Sequence, residues 1–337
     1  VRLIDQRRLP VSLEYLTLDN STQMTDAIKD MAIRGAPALG VAGVFGMALD
    51  ALHSRHKRVS DQRALLRESA ARLIAARPTA VNLAWGVNQV LAIVNNSEIA
   101  DDEMAQKIKT FALDLAEQDV KTNLRLAEIG SVLIDDGDTI IHHCNTGSLA
   151  VVDWGTALGV IHFAHEQGKH IHVLVDETRP RLQGSRLTAW ECEQYGIPYD
   201  IITDSMAGYF LRSGKVQKVF FGADRVAANG DVVNKMGTYM LSLAAHSNHV
   251  PVNCVFPLST LDLKVPNGDL IPIENRDPSE VLNLSVAGEP VAPVHATALN
   301  PAFDITPHDL ISALVTEAGI IRPPFEENLA RFSSTQR

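Results

Sequence analysis

Cysteine is scarce in this 337-residue chain: Cys144, Cys192 and Cys254 are the only three, and none stands at a paired spacing. A disulfide scaffold is thereby excluded, and the thiols suit a reducing compartment. No uninterrupted apolar stretch approaches the roughly 20 residues that cross a bilayer. The opening Val1-Arg2-Leu3-Ile4-Asp5 carries no signal-like apolar segment, so the expectation is a cytoplasmic protein with no membrane role. Positive charge is in deficit, with 30 Lys and Arg against 40 Asp and Glu and a net charge of -10. Nucleic acid is therefore not an expected partner, and an anionic substrate has to be held by local groups rather than by an overall field. No Gly-x-Gly-x-x-Gly follows an expected strand and no Walker-type phosphate loop occurs, so neither a nicotinamide nor ATP is expected, and no cofactor is assigned. Repeats and low-complexity linkers are missing as well.

What remains is a composition of 46% hydrophobic and 21% charged residues, that of a globular protein of one large or two moderate domains. Up to about residue 135 the pattern is helical. Thr22–Ile33 has Met24, Ala27, Ile28, Met31 and Ala32 at helical spacing, and Pro37 suits the first turn of a new helix. The glycines of that helix, Gly40, Gly43 and Gly46, predict close packing against neighbours. Helices over Asp61–Ala76, Asn82–Val94 and Asp101–Ile134 follow. The polar cluster Asp135-Asp136-Gly137-Asp138 predicts a boundary, with a mainly helical domain over 1–135 and a second domain over 136–337. There, strands at Thr139–Cys144, His170–Val175, Tyr199–Thr203, Val216–Phe221 and Val252–Phe256 alternate with helices at Ser148–His165, Ser185–Tyr195, Met206–Arg212 and one after Lys235. The fold class is α/β, with a helical N-terminal domain before a Rossmann-like parallel sheet.

Open sheets of this kind put their chemistry at the C-terminal ends of the strands. Those ends carry His142-His143-Cys144-Asn145, Asp176-Glu177-Thr178-Arg179, Asp204 and Asp224. His-His-Cys suggests a metal, but strand alternation separates His143 from the other two and no second ligand pair follows, so no metal is assigned. A thiol just before a helix start at Gly147-Ser148 is instead expected to have a stabilised thiolate, whereas Cys192 and Cys254 read as core. After the strand ending at Phe221, small Gly222 and Ala223 allow a close approach before Asp224. Asn234-Lys235 then leads into an apolar helical pattern, which predicts an amide and an ammonium near a helix N-terminus. Arg34-Gly35-Ala36 is expected to make a phosphate cradle at the start of a buried helix, with an interhelix salt bridge as the structural reading of Arg34. Arg77 ends a helix, where a cation also complements the dipole.

Several of these segments together resemble the methylthioribose-1-phosphate isomerases. They are Arg34-Gly35-Ala36-Pro37-Ala38, Arg77-Pro78-Thr79-Ala80-Val81-Asn82-Leu83, His143-Cys144-Asn145-Thr146-Gly147, the run from Glu177 to Thr188, Gly222-Ala223-Asp224-Arg225 with Asn234-Lys235, and Asn300-Pro301-Ala302-Phe303-Asp304. The resemblance implies a homodimer acting on a sugar phosphate in methionine salvage. Catalysis would fall to Cys144 and Asp224, and substrate binding to Arg34, Gly35, Ala36, Arg77, Gln183, Asn234 and Lys235. The same fold serves ribose-1,5-bisphosphate isomerases and regulatory subunits of translation initiation factor 2B, which leaves a related sugar phosphate or a non-catalytic role as alternatives. The segment Val151-Val152-Asp153-Trp154 departs from the family pattern without touching its motifs. An aldose 1-phosphate cannot open spontaneously to an aldehyde, because its anomeric oxygen is esterified. Asp224 would act as general acid on the ring oxygen with Cys144 taking the C2 proton, or the C2 hydrogen would move as hydride with Asp224 handling hydroxyl protons. Either route asks Asp224 to hold a proton near neutral pH, in an apolar setting expected from Phe220, Phe221 and Ala223.

Overall fold

A computed structural model describes residues 1–78 and 80–334 of the chain; Thr79, quoted in the second motif, lies outside the described residues. The chain forms two compact units, one of Val1–Thr122 with Ser148–Gly155 and the other of Asn123–Gly147 with Thr156–Arg337.

In the first unit β1 (Arg2–Ile4) pairs antiparallel with β2 (Tyr15–Thr17), ahead of the helices α1 (Ser21–Lys29), α2 (Ala36–His53), α3 (Val59–Ala76), α4 (Val81–Asn95) and α5 (Asp101–Ser131). Asn20 starts α1 by accepting the Gln23 amide, and Met31, at φ 56°, has left the helical path. By length and mean hydropathy α2 could cross a membrane, but 67% of it is buried inside the protein. Its Leu39, Val44 and Met47 join Met24, Leu66, Leu73, Leu83 and Met104 in one core. Truncating one such side chain, as in Met47→Ala, costs about 2–5 kcal/mol. Gly40 and Gly86 let α2 and α4 touch along their backbones, since a Cβ on Gly86 would sit 2.7 Å from the Gly40 carbonyl oxygen. Gly40 lies against Asn82 and Gly43 against Leu83 and Val87, so the two helices run side by side in the same direction and share an N-terminal end.

Helix α5 is divided by its packing. Met104, Ile108 and Ala112 belong to the core of the first unit, whereas Leu126 packs with Ile140, Val160 and Ile171 in the second. The expected boundary after residue 135 is one of chain segments, and the packing changes within the helix that precedes it.

The second unit is built on β3 (Thr139–His142), β4 (His172–Asp176), β5 (Tyr199–Ile202), β6 (Lys218–Phe221), β9 (Val252–Val255), β14 (Ala313–Thr316) and β15 (Gly319–Ile321). The sheet order is β15-β14-β9-β6-β3-β4-β5, parallel throughout except for the edge strand β15. Helices α6 (Ala157–Glu166), α7 (Ala189–Tyr195), α8 (Ala207–Arg212) and α9 (Thr238–Ser247) intervene along the chain. Phe220 and Phe221 enter cores on opposite faces, as strand alternation requires. The chain fills one side of β3 with β4 and β5 and then resumes on the other with β6, so the C-terminal ends of β3 and β6 flank the switch point at which open sheets of this kind bind ligands.

A second sheet, absent from the sequence reading, has the order β10-β7-β8-β13 and consists of β7 (Arg225–Ala227), β8 (Val232–Lys235), β10 (Leu261–Asp262) and β13 (Phe303–Thr306). A short α10 (Ser279–Leu282), the hairpin β11 (Ser285–Val286) with β12 (Glu289–Pro290), and α11 (Phe325–Ser334) complete the chain. The helix expected over Ser148–His165 is replaced by a single 3-10 turn at Ser148–Ala150, an irregular stretch and then α6. Trp154 and Gly155 take φ of 69° and 92°, which no right-handed helix accommodates.

Candidate active site

Strand β3 stops at His142, so Cys144 is outside the ladder, and its φ of 67° turns the chain sharply. This corrects two expectations. Alternation no longer assigns Cys144 a face, and the turn at Ser148 is too short to supply a helix dipole. Hydrogen bonds hold the loop instead. The Cys144 amide donates to Thr178 Oγ1 at 2.9 Å, and Thr178 Oγ1 donates to the Asp176 carbonyl at 2.9 Å. Thr188 Oγ1 donates to the Cys144 carbonyl at 2.7 Å, while Asn145 Nδ2 reaches Thr188 Oγ1 and buried Glu191. Thr178 itself has φ 62°, and residues in this region cost about 1–3 kcal/mol unless the surroundings over-determine them. Cys192 and Cys254 lie in the cores, as expected, and burial pushes the Cys192 thiol up to about 12.

The neighbouring histidines are both fully buried. His142 Nε2 meets Thr146 Oγ1 at 2.8 Å, and burial pushes its pKa down to about 3, which keeps the ring neutral. His143 Nδ1 lies 2.9 Å from Asp176 Oδ2 and Nε2 lies 3.1 Å from the Met236 carbonyl oxygen. Burial alone would depress His143, but the hydrogen bond and charge of Asp176, with smaller help from Asp204, carry it above its usual value. His143, Asp176 and Asp204 come close enough to surround an ion. Yet both ring nitrogens are engaged, and the Asp204 oxygens already accept the Thr178 and Arg179 amides, so the cluster is a hydrogen-bond network.

Asp224 emerges where β6 ends. Gly222 brings this turn against Thr146 of the Cys144 loop, since a Cβ there would lie 2.8 Å from Thr146 Cγ2. The Asp224 amide donates to the Val233 carbonyl, which sets Asp224 beside the start of β8. Its side chain is exposed, and Phe220 and Phe221 face the cores below; the expected apolar surroundings of the carboxyl are thus corrected. Asn234 and Lys235 lie on β8, not at a helix start, and α9 begins only at Thr238. The N-terminal amides of that helix are taken by Asp304, which accepts from Gly237 at 2.7 Å and Tyr239 at 3.2 Å. Asn234 Nδ2 donates to Thr238 Oγ1, and buried Lys235 Nζ donates to the Ala302 carbonyl and lies 4.4 Å from the Phe303 ring centre. The motif around Ala302–Asp304 therefore aims Lys235 and caps α9. Gln183 precedes a π-helical turn at Gly184–Thr188, and its buried Oε1 has no partner among the described residues. An unpaired amide oxygen costs about 1–3 kcal/mol, which a ligand hydroxyl would recover.

In the first unit Gly35 precedes α2 at φ 103°, where any Cβ would collide with the Ala150 carbonyl oxygen. The first-turn amides of α2 have no intrahelical acceptor and face anions well. Arg34 Nε donates to Gln6 Oε1 at 3.2 Å, and Gln6 Nε2 donates to the Leu149 carbonyl at 2.7 Å. Gln6 is a supporting partner of Arg34 that sequence reasoning missed, because nothing adjacent to it in sequence marks it. Arg77 caps the C-terminus of α3 and, through the short link to α4, stands at the same end as Arg34-Gly35-Ala36. A cavity of about 390 Å³ beside this end is lined by Ile33, Ala38, Val41, Phe45 and Leu149, with Gln6 among its few polar groups. Cys144, Gln183, Asp224, Asn234 and Lys235 thus belong to the second unit, and Arg34, Gly35, Ala36 and Arg77 to the first.

Residues 32–323 match the model of the initiation factor 2 subunit family. The chain is 47% identical over 332 residues to methylthioribose-1-phosphate isomerase 2 of Pseudothermotoga lettingae, covering 98% of this chain and 94% of that one. It is 46% identical to the methylthioribose-1-phosphate isomerase of Thermotoga maritima, with 98% and 95% covered. Among solved structures, the 5-methylthioribose 1-phosphate isomerase of Pyrococcus horikoshii superposes with a TM-score of 0.92 at 39% identity, covering 99% and 93% of the two chains. A structure described as the delta subunit of translation initiation factor 2B from A. fulgidus superposes at 0.88 with 42% identity, covering 98% and 96%.

Proposed function

The chain belongs to the initiation factor 2 subunit family and, within it, to the methylthioribose-1-phosphate isomerases, and we propose that it converts 5-methylthioribose 1-phosphate to 5-methylthioribulose 1-phosphate in methionine salvage. The observation that carries this reading is the pairing of a thiol and an acid across the sheet's switch point. Cys144 follows β3 and Asp224 follows β6, and Gly222 packs the second turn on the first. Asp224 donates a proton to the ring oxygen; Cys144 then takes the C2 hydrogen as a proton, leaving an enolate that is reprotonated at C1, or supports its transfer from C2 to C1 as hydride. Label from solvent at C1 of the product distinguishes these routes. Since Phe220 and Phe221 do not surround the Asp224 carboxyl, its desolvation comes from the bound sugar. Arg34, Gly35, Ala36, Arg77, Asn234 and Lys235 hold the phosphate and hydroxyls, and Gln183 Oε1 accepts from a sugar hydroxyl. Arg179 and Arg181 are engaged by the Val281 carbonyl and Glu280, which supports an uncharged 5-substituent.

The A. fulgidus description supports a second reading, a non-catalytic regulatory subunit, which would have no use for a thiol and an acid at adjoining strand ends. A homodimer in the cytoplasm completes the proposal; exposed Met206, Tyr209, Met240 and Leu243 on the contacting segments around α8 and α9 suit a second copy, which light scattering would test. The deciding experiment compares three sugars. Loss of the methylthio group, in 5-deoxyribose 1-phosphate, is expected to lower kcat/KM by about 10 to 200-fold. Ribose 1,5-bisphosphate is expected to fall by several orders of magnitude, because a buried dianion lacks a partner. If the bisphosphate is the best substrate the assignment of substrate is wrong, and if none of the sugars turns over the regulatory reading takes its place.

A further inference from the structure

We propose that His143 and Asp176 form a proton-sharing strut that ties the Cys144 loop to the turn after Lys235 and thereby sets the alkaline limit of activity. This rests on the reading of Cys144 as a catalytic residue. Both side chains are 1% exposed, so neither reaches the substrate, and both are positioning residues.

Hydrogen-bond roles fix the proton count. The Met236 carbonyl oxygen only accepts, so His143 Nε2 carries a hydrogen. Across the 2.9 Å contact between Nδ1 and Asp176 Oδ2 there must then be one further proton, whether it resides on nitrogen or on oxygen. Without it, a lone pair would face a carboxylate. With it, the buried pair is neutral overall; its loss leaves one uncompensated negative charge in the interior, which is strongly disfavoured. The pair is faced by His142 from β3, Glu177 beyond β4, Asp204 at the end of β5 and Asp304 from β13, and Asp304 in turn is faced by Lys235 from β8. Three of these are carboxyl groups that favour keeping the proton, His142 is held neutral, and Lys235 offsets the charge of Asp304.

The strut bears on two parts of the site at once. The Asp176 side chain holds His143, while its backbone carbonyl holds Thr178, whose hydroxyl accepts the Cys144 amide. On the far side, Met236 follows Lys235 directly and precedes Gly237, whose amide is anchored by Asp304. Opening the contact therefore releases the left-handed Cys144 turn and the end of β8 together.

Asp176→Asn tests this directly. Its amide can donate to a neutral imidazole Nδ1 while Nε2–H still serves Met236, so the tie persists without a mobile proton. The expected result is a kcat reduced several-fold, less than in His143→Gln at every pH, with the alkaline limb of the kcat profile displaced to higher pH. An unshifted limb in folded Asp176→Asn overturns the proposal. Should that variant fail to fold, nitrogen NMR of wild-type protein labelled at histidine gives the answer: both His143 nitrogens should stay protonated or hydrogen-bonded up to the pH at which kcat falls, and a His143 transition that does not coincide with that fall overturns the proposal equally. Cys144→Ser, measured alongside, separates the two levels, since normal kcat there removes the role of Cys144 while the His143 titration still reports on the strut.

Discussion

In the first unit Arg34 and the start of α2 are placed by apolar helix packing, with Leu39, Val44 and Met47 sunk in one core and Gln6 among the groups that steady the guanidinium. In the second unit Cys144 is placed by buried polar contacts: Thr178, Thr188, Asn145 and Glu191 surround a backbone turn that a non-glycine residue rarely adopts. The contrast fits the roles proposed for each. A phosphate is bound in ground and transition states alike, so a stable helix end suffices. A proton-transfer group has to be held to a fraction of an ångström, and directional hydrogen bonds do that better than apolar packing.

The largest expected effect falls on the second unit. Cys144→Ser and Asp224→Asn should each lower kcat by at least about 100-fold with little change in KM. Near-normal turnover in either variant removes that residue from the chemistry. Next comes the support: Thr178→Val deletes the acceptor of the Cys144 amide and should lower kcat by about 10-fold, again with KM held, as expected for one buried hydrogen bond. If Thr178→Val raises KM instead, the loop serves binding and the contrast between the units blurs. The first unit should respond the other way. Arg34→Ala is expected to raise KM by about 10-fold with kcat nearly unchanged, and Gln6→Leu to do so more weakly, as for loss of uniform binding. A collapsed kcat in Arg34→Ala would move that residue into the catalytic group.

The smallest effect concerns pH. The hydrogen bond from Arg7 holds Asp5 below the ordinary carboxylate range, whereas His143 in the second unit lies above its ordinary value. A depressed carboxyl adds stability above its unfolded value of about 3.9, and that contribution is lost as pH falls through the folded value. A raised histidine adds stability below about 6.5, lost as pH rises through its folded value. Arg7→Gln should accordingly have a slightly lower Tm than wild type at neutral pH, with the gap closing in acid. Thermal unfolding across pH checks this, and a gap that persists in acid would mean that Arg7 acts through packing rather than charge.

Legibility in the sequence was uneven for physical reasons. The helices of the first unit and the parallel strands of the second show through periodicity, because each buries a regular apolar face. Helix ends fell within a few residues of expectation except over Ser148–Gly155, where positive φ at Trp154, a residue with no conformational signature, breaks the helix. The strands β7, β8, β10 and β13 were hidden because they are two to four residues long and their pairing is non-local. Among site residues, those at strand ends and at the start of α2 could be found from local pattern and resemblance. Gln6 could not, nor could the hydrogen-bonding roles of Thr178, Thr188 and Asp304 within their motifs, since each acts on a group far away in sequence.

By itself, then, the sequence determined the succession of the main helices and of five strands of the parallel sheet, the α/β class, and which segments carry an acid, a thiol and basic groups, because these depend on residue type and short-range spacing. Only the tertiary structure decided that Asp304 caps the N-terminus of α9, that Phe220 and Phe221 leave Asp224 exposed, and that buried His143 meets Asp176. Those outcomes depend on which groups meet across long stretches of chain and on how deeply they are buried, and burial decides where a charge or a proton can remain.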